Sequence, residues 1–562
     1  SLTKETRQVW FSTVVPYYKN ALRCFIRQGQ AEEAFHTAEL CKARSLMEQY
    51  AERLADNSEI LDDEELQQLN GYRRQLAAYN TQIAEAMLKG NTTAQQNLTA
   101  ERDKLGSEYQ EYRRKLQENY PKYKELSEPE IVDWQQGQEI LPENTVFLDF
   151  LQHGDFIEAF VLSREKGLQA FDLTMPKDLA SGCSVYHNLI SYKGPGEMNS
   201  RDDKHLWRMA DGTYAVTQGG EQPANHAGEV TDFQEYQRIR RTLAENLGEA
   251  LLDPLTAYLP SGANWLISPY GDLDAIPFET LIYQGKPAIE TADISYIQSL
   301  SVLRLLQKRQ QQNAGLNGRK ELFAMGDAIY GDYSDEEAKK SRQVIAQAAD
   351  AARSVKVEAA SVMDLNSLHW ENLPGSAREI QQAAEIFPEG QRDLYVREAA
   401  TEPQLRNLNR TGALKDYKYL LFATHGIFFP QAAELSSIVL GRSNAARTNG
   451  YVTVSKWMGY DLHSDLVYLS ACESGLGKDE AGEGIIGLPY ALCIAGNQDT
   501  VMSLWKINDA ASARFSAGFF QKIKAGMGPL KALNAMKREF MKSSRNDLSD
   551  PSVWSTFLLY GI

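Results

Sequence analysis

Two stretches decide the reading: Tyr419-Leu420-Leu421-Phe422-Ala423-Thr424-His425-Gly426 and Leu466-Val467-Tyr468-Leu469-Ser470-Ala471-Cys472-Glu473-Ser474-Gly475. Each is a short apolar and aromatic run, then one reactive side chain, then small residues and glycine. Continuous apolar runs of this length, bounded by polar residues and glycine, predict strands buried in a parallel sheet. Ligands and chemistry collect beyond the carboxyl ends of such strands. His425 and Cys472, 47 positions apart, are therefore expected to emerge side by side on one rim, a nucleophile–base pair. The packing alternative is weighed beside it, since cysteine is among the most buried residue types and a lone histidine is more often structural. Two matched strand ends with matched glycines favour the pair.

A free thiol titrates near 8.5, so it needs a neighbour to take its proton at neutral pH. An imidazole does this and later protonates a leaving amine. Glycine at 426 and small residues around 472 leave backbone N–H groups open to a substrate carbonyl, so the amides of Gly426 and Cys472 are the expected oxyanion hole. Cys493 lies in an apolar helix pattern and reads as core. His463 precedes the cysteine strand at its opposite end and is a poor base.

The chain has 562 residues, 43% of them hydrophobic and 24% charged, with a net charge of -16. This is too long for one core. The acidity argues against a general nucleic-acid or anionic-membrane surface. No apolar run reaches the length of a membrane span, and no basic-then-apolar leader opens the sequence. Five scattered cysteines without C-x-x-C spacing argue against a disulfide framework or structural zinc and fit a reducing, cytoplasmic compartment. His187, His205 and His226 are too dispersed for a metal site, so neither metal nor cofactor is expected.

Residues 1–57 read as a helical hairpin turned at Gly29. Ala34, Ala38 and Cys41 stand one turn apart on one face, and Cys24, Cys41 and His36 are taken as helix-packing residues. This arrangement resembles the end of a tetratricopeptide repeat. Residues 58–135 are polar and Ala/Glu/Gln-rich, broken at Gly90-Asn91, and predict two long antiparallel helices. From 136 the texture alternates. Thr145–Leu151 and Phe156–Leu162 read as a hairpin, Phe233–Leu252 as a helix and Trp265–Ser268 as a buried strand. Gln307–Lys320 reads as a Gln-rich linker, separating a half at 136–315 without a reactive pair from a second α/β half at 316–562. Ser376 and Thr401 are the expected caps of two helices in the second half. Strands alternating with helices imply a mainly parallel sheet with helices on both faces.

In combination these motifs resemble the CHAT family of caspase-like cysteine peptidases, distantly similar to separase. The resemblance rests on Ala423-Thr424-His425-Gly426, Leu469-Ser470-Ala471-Cys472-Glu473-Ser474-Gly475, Gly482-Glu483-Gly484-Ile485-Ile486-Gly487-Leu488 and Ser503-Leu504-Trp505 with Asp509. Pro269-Tyr270-Gly271-Asp272-Leu273, Ile276-Pro277-Phe278-Glu279 and Leu373-Pro374-Gly375-Ser376 add to it. It implies a caspase-like fold with a pseudo-protease half before the active one, and helical repeats in front. It implies peptide-bond hydrolysis with His425 as base and Cys472 as nucleophile. By analogy with separase-like relatives, Asp509 lines a pocket for a basic side chain, with Glu473 and Asp479 as weaker alternatives. The competing role of Asp509 is to cap the helix starting at Ala510. The family pattern further implies a protein substrate and a regulatory protein held by the repeats, in bacterial defence or stress. The alternative is a repeat-based scaffold whose peptidase fold serves docking or switching.

Overall fold

The computed structural model describes residues 20–42, 61, 63–88, 92–120, 131–153, 156–174, 179–195, 204–218, 222–331, 369–427, 436–441, 450–471, 478–480, 484–505 and 507–562. Helices α1 (20–27) and α2 (31–42) form a hairpin about Gly29, which has a positive φ of 73°. Ala34, Ala38 and Cys41 are buried on one face as expected, but Cys24 and His36 are exposed. Those two therefore do not pack, because the hairpin buries only the stripe facing the body. Phe35 of that stripe meets the rings of Phe147 and Phe160 edge-on, at 6.5 and 5.5 Å. Helices α3 (Asp63–Leu88) and α4 (Thr92–Asn119) form the long hairpin. Its small core is built around Leu69, Tyr109 and Leu116. No helix among the described residues is long and apolar enough to cross a membrane.

The body is one eleven-stranded sheet. Strands β1 (Thr145–His153), β2 (Phe156–Ser163) and β3 (Gly167–Thr174) form an antiparallel meander at one edge. Strands β4 (Asn264–Ser268) and β5 (Asp293–Tyr296) join it parallel to β1. At the other edge, β6 (Lys320–Ala328), β7 (Arg392–Arg397), β8 (Tyr417–Ala423), β12 (Leu466–Ser470) and β13 (Asp499–Ser503) are all parallel. Three short strands intervene in sequence, β9 (His425–Ile427), β10 (Ser437–Val439) and β11 (Tyr451–Thr453), and make a small antiparallel sheet of their own. The last strand, β14 (Phe557–Tyr560), lies between the halves, antiparallel to β13 and parallel to β5. The order is β7-β6-β8-β12-β13-β14-β5-β4-β1-β2-β3. The sheet is mainly parallel, as the pattern predicts. Because β14 reverses direction, the carboxyl ends of β1 and β4 face the rim opposite to those of β8 and β12.

The helices that matter most here are α5 (Phe233–Leu251), α6 (Leu300–Ala314), α7 (Pro374–Ala384), α8 (Glu402–Arg410), α9 (Leu488–Ala495), α10 (Asp509–Lys524) and α11 (Pro529–Met541). The Gln-rich stretch is not a linker: α6 continues through it to Ala314. Glutamine is a good helix former, and Arg309 and Asn313 inside the stretch are buried. Arg309 Nη1 donates to Asn497 O (2.5 Å), and Arg319 pairs with Asp465 (2.8 Å). This segment braces the two halves.

Two buried ionic clusters hold the pieces together. Glu39 of α2 accepts from the Leu300 and Ser301 amides at 2.9 and 3.1 Å, capping α6 from outside. Lys42 Nζ pairs with Asp149 and donates to Phe150 O and Ser268 O, both at 2.8 Å. At the junction of the halves, Lys537 of α11 pairs with Glu279, both fully buried. Tyr296 Oη donates to the other Glu279 oxygen at 2.6 Å. Asn534 bridges both backbone groups of Ile294, and Arg538 pairs with Asp293 at 2.6 Å. Lys537→Met leaves Glu279 buried beside no counter-charge and is expected to cost about 3–5 kcal/mol. Adding Glu279→Gln to it should recover most of that loss. Urea unfolding of the two variants measures both effects.

Candidate functional site

The site is built from the register of β8 against β12. Tyr419 pairs with Leu466, and the ladder runs to Ala423 against Ser470. Their buried runs pack between the helical layers, which is why an apolar alternation-free pattern forms strands here. One further bond extends the ladder, from Thr424 N to Ser470 O at 3.1 Å. His425 and Cys472 each stand two residues beyond the last Cα pair. Cys472, Glu473 and the glycines at 475, 477 and 482 lie outside the described residues. Asp479 falls in a short hairpin of 478–480 with 484–486.

His425 opens β9 and is 5% exposed. Its Nε2 is 2.7 Å from the Glu371 carbonyl. A carbonyl only accepts, so Nε2 carries a hydrogen, and Nδ1 is the nitrogen that takes a proton in the neutral ring. The ring lies between Trp370 and Tyr330, each 4.8 Å away centroid to centroid. Tyr330 Oη donates to Val439 O (2.9 Å) and accepts from His425 N (3.3 Å), while Trp370 Nε1 donates to Tyr451 Oη (2.9 Å). Both aromatic flanks are thus locked by partners on β10 and β11. Gly426 sits in the β9–β10 ladder opposite Ile438. Sequence reasoning missed Glu371, Trp370 and Tyr330. A backbone acceptor has no residue signature, and the two rings look like ordinary core.

Beside Ala471 a cavity of about 50 Å³ opens between β12, β13, α7 and the start of α10. Asp509 borders it. It is the first residue of α10, exposed, and not the cap: Asn508 takes the Ala510 amide at 2.9 Å. The Asp509 side chain lies so close to Gly375 that any Cβ there would collide with it. Ser376 likewise is not a cap. α7 begins earlier, at Pro374, whose missing N–H costs nothing at a first helical position. Ser376 Oγ instead donates to Leu373 O (2.7 Å) and accepts from Asp327 N (3.0 Å), tying α7 to the end of β6. Thr401 caps α8, accepting from Gln404 N.

The floor of the cavity holds Glu379, unanticipated in the sequence and only 4% exposed. Its Oε2 accepts from Ser470 Oγ and Ser512 Oγ, each at 3.0 Å, whereas Oε1 has no hydrogen-bond partner. Burial pushes this carboxyl up to about 7, and the Asp509 charge adds to the rise against the pull of the serine hydroxyls. A signal was present: Ser376, Glu379, Ile380 and Ala383 share one buried helical face, where a carboxylate is out of place. Ser503 Oγ donates to Ala471 O, securing the other wall. Cys493 is buried in α9. Among the described residues no group of three or more His, Cys, Asp or Glu side chains could hold a metal ion.

The model of the CHAT domain family matches residues 241–562. No curated protein sequence matches the chain. Among solved structures, the separase–securin complex of Saccharomyces cerevisiae at 2.6 Å is similar with 10% identity and a TM-score of 0.38, over 94% of this chain and 40% of that one. A 3.0 Å structure of the same complex gives 10% identity and 0.39, over 76% and 30%. The Arg-specific cysteine proteinase gingipain R gives 9% identity and 0.31, over 53% and 62%. The chain therefore spans less than half the length of the separase chains it matches.

The raised Glu379 carboxyl predicts a pH dependence. Between its ordinary value of 4.5 and about 7, the folded chain holds a proton that the unfolded chain has released, so stability falls as pH rises through that window. Glu379→Gln removes this contribution. It is expected to be more stable than the native chain at pH 8, by on the order of 2–3 kcal/mol, and to match it near pH 4. Urea titrations at a series of pH values check the crossing.

Proposed function

The chain belongs to the CHAT domain family, and from that premise we propose that it is a cysteine endopeptidase working through His425 and Cys472. The observation that carries the reading is the Ala423–Ser470 register, with a histidine whose tautomer is set by the Glu371 carbonyl. In this mechanism Nδ1 of His425 takes the Cys472 proton, and the thiolate attacks the scissile carbonyl. The amides of Gly426 and Cys472 receive the developing oxyanion. The imidazolium then protonates the leaving amine, and the same ring activates the water that cleaves the thioester. Asp509 and Glu473 are the proposed walls of the specificity pocket.

The same proposal makes the enzyme a regulated one, cleaving a specific protein in a reducing, cytoplasmic setting, in bacterial defence or stress response. The N-terminal helices would receive a regulatory protein as part of a tetratricopeptide-type array. The link from α2 into β1, β4 and α6 through Lys42 and Glu39 supports a rigid path between a bound partner and the sheet. The boundaries at 57, 135 and 315 remain part of this proposal.

Cys472→Ala and His425→Ala are each expected to lower cleavage by at least about a thousandfold while leaving partner capture intact. Proteomic mapping of new N-termini, native chain against Cys472→Ala, reads the loss and identifies the substrate. Cleavage that survives in Cys472→Ala defeats the assignment. If the native chain produces no new N-termini with its partner bound, the scaffold reading takes its place.

A further inference from the structure

The proposed reaction passes through a protonated His425, and it does so in a dry place. The histidine is only 5% exposed, and burial disfavours the charged form of an imidazole. A buried charge is costly unless its surroundings offset the loss of water. The Glu371 carbonyl on Nε2 is one such offset, since a hydrogen bond strengthens when its donor is charged. The paired strand β10, Ser437–Val439, brings no charge. Besides Cys472, the titratable side chains on the segments that meet the ring are Tyr330, His369 and Glu371, with Tyr451 behind Trp370.

Trp370 supplies a second offset. Its ring centroid lies 4.8 Å from that of His425, with the two planes only 37° apart, so the indole turns its face toward the imidazole. The face of an aromatic ring is its negative side. A cation within about 6 Å of the centroid is attracted to it, most by indole and most where water is excluded. Trp370 is 8% exposed. Its Nε1 donates to Tyr451 Oη at 2.9 Å, which fixes the plane presented to the histidine. Tyr330 meets the ring at a steeper 65°, and its hydroxyl accepts from His425 N. Asn372 Oδ1 accepts from Tyr330 N at 3.1 Å, tying this residue to the segment that carries Trp370 and Glu371.

We infer that Trp370 is a positioning residue that holds His425 as the charged imidazolium through the face of its indole, while Tyr330 fixes where the ring sits. That the charged ring serves catalysis rests on the peptidase reading; the attraction between indole and imidazolium does not. The two aromatic residues therefore have different parts. Trp370 acts on the charge of the histidine, and Tyr330 acts on its main chain through the bond to His425 N.

The test has two arms. The first reads the histidine itself, by NMR titration of full-length Cys472→Ala carrying isotope-labelled histidine, with the His425 signal identified by its loss in His425→Ala. Trp370→Leu is expected to lower the titration midpoint of His425 by about one pH unit. Fluorinated tryptophans placed at position 370 by stop-codon suppression change the shape of the ring little but drain its face. The midpoint should then fall stepwise with the number of fluorines. A midpoint that ignores the fluorine count overturns the inference, even if Trp370→Leu lowers it, because that pattern reports displacement of the ring alone. A fall in Glu371→Gln as large as that in Trp370→Leu also overturns it, since the neighbouring carboxylate then holds the charge. In the second arm, alkylation of Cys472 by iodoacetamide at pH 6.5 is followed by mass spectrometry. His425→Ala should slow it, and trifluorotryptophan at position 370 should slow it on the order of tenfold. If fluorine lowers the His425 midpoint but His425→Ala leaves alkylation unchanged, the peptidase reading fails and the role of Trp370 stands. If His425→Ala slows alkylation while the midpoint ignores fluorine, the role of Trp370 alone fails.

Discussion

The structure depends on a strand that arrives last. β14 closes the sheet between β13 and β5, so neither half is a finished layer until residues near the carboxyl terminus have returned to the middle. Its ladder would leave both neighbours with open edges if it were absent. The buried Lys537–Glu279 pair, completed by Tyr296, then fixes the helix leading to that strand against the other half. Such a pair gains little net energy over an apolar contact, because desolvation offsets the attraction, but it penalises every arrangement in which one partner stays buried alone. The junction therefore acts chiefly on alignment.

That alignment bears on the site through a short path. β12 carries the residues that precede Cys472, β13 lies beside it, and β14 lies beside β13. Ser503 of β13 holds the Ala471 carbonyl, while Ser470 is held by Glu379 from α7. The strand end before Cys472 is thus gripped from two sides by hydroxyl contacts. In the other half, Lys42 joins the middle of β1 to the carboxyl end of β4, a strand end of the kind where an open α/β sheet would ordinarily receive a ligand. Here the protein's own helix α2 supplies the contact.

Several elements were legible because the signal is local. The apolar runs at 419–423 and 466–469 are strands, two long helices are found at Asp63–Leu88 and Thr92–Asn119, and Thr401 caps its helix because its hydroxyl needs only a donor three residues away. The Gln-rich stretch misled because composition does not reveal burial: Arg309 and Asn313 face inward only when both halves are present. Ser376 misled because a proline two positions earlier had already started the helix. Asp509 was placed near the site by motif, but its competing role as a cap belongs to Asn508.

What the sequence by itself determined is the pair of strand ends, their shared rim and the chemical types at 425 and 472. These follow from strand length, apolar continuity and glycine placement, all properties of neighbours along the chain. What only the tertiary structure decided is which atoms surround them. The Glu371 carbonyl orients His425, Trp370 and Tyr330 flank its ring, and Glu379 comes to lie beneath Ala471 with one oxygen unpaired. Those contacts join residues separated by tens of positions, and one of them uses a backbone atom common to every residue. A side chain's partner, and hence its protonation state, is set by what folding brings against it.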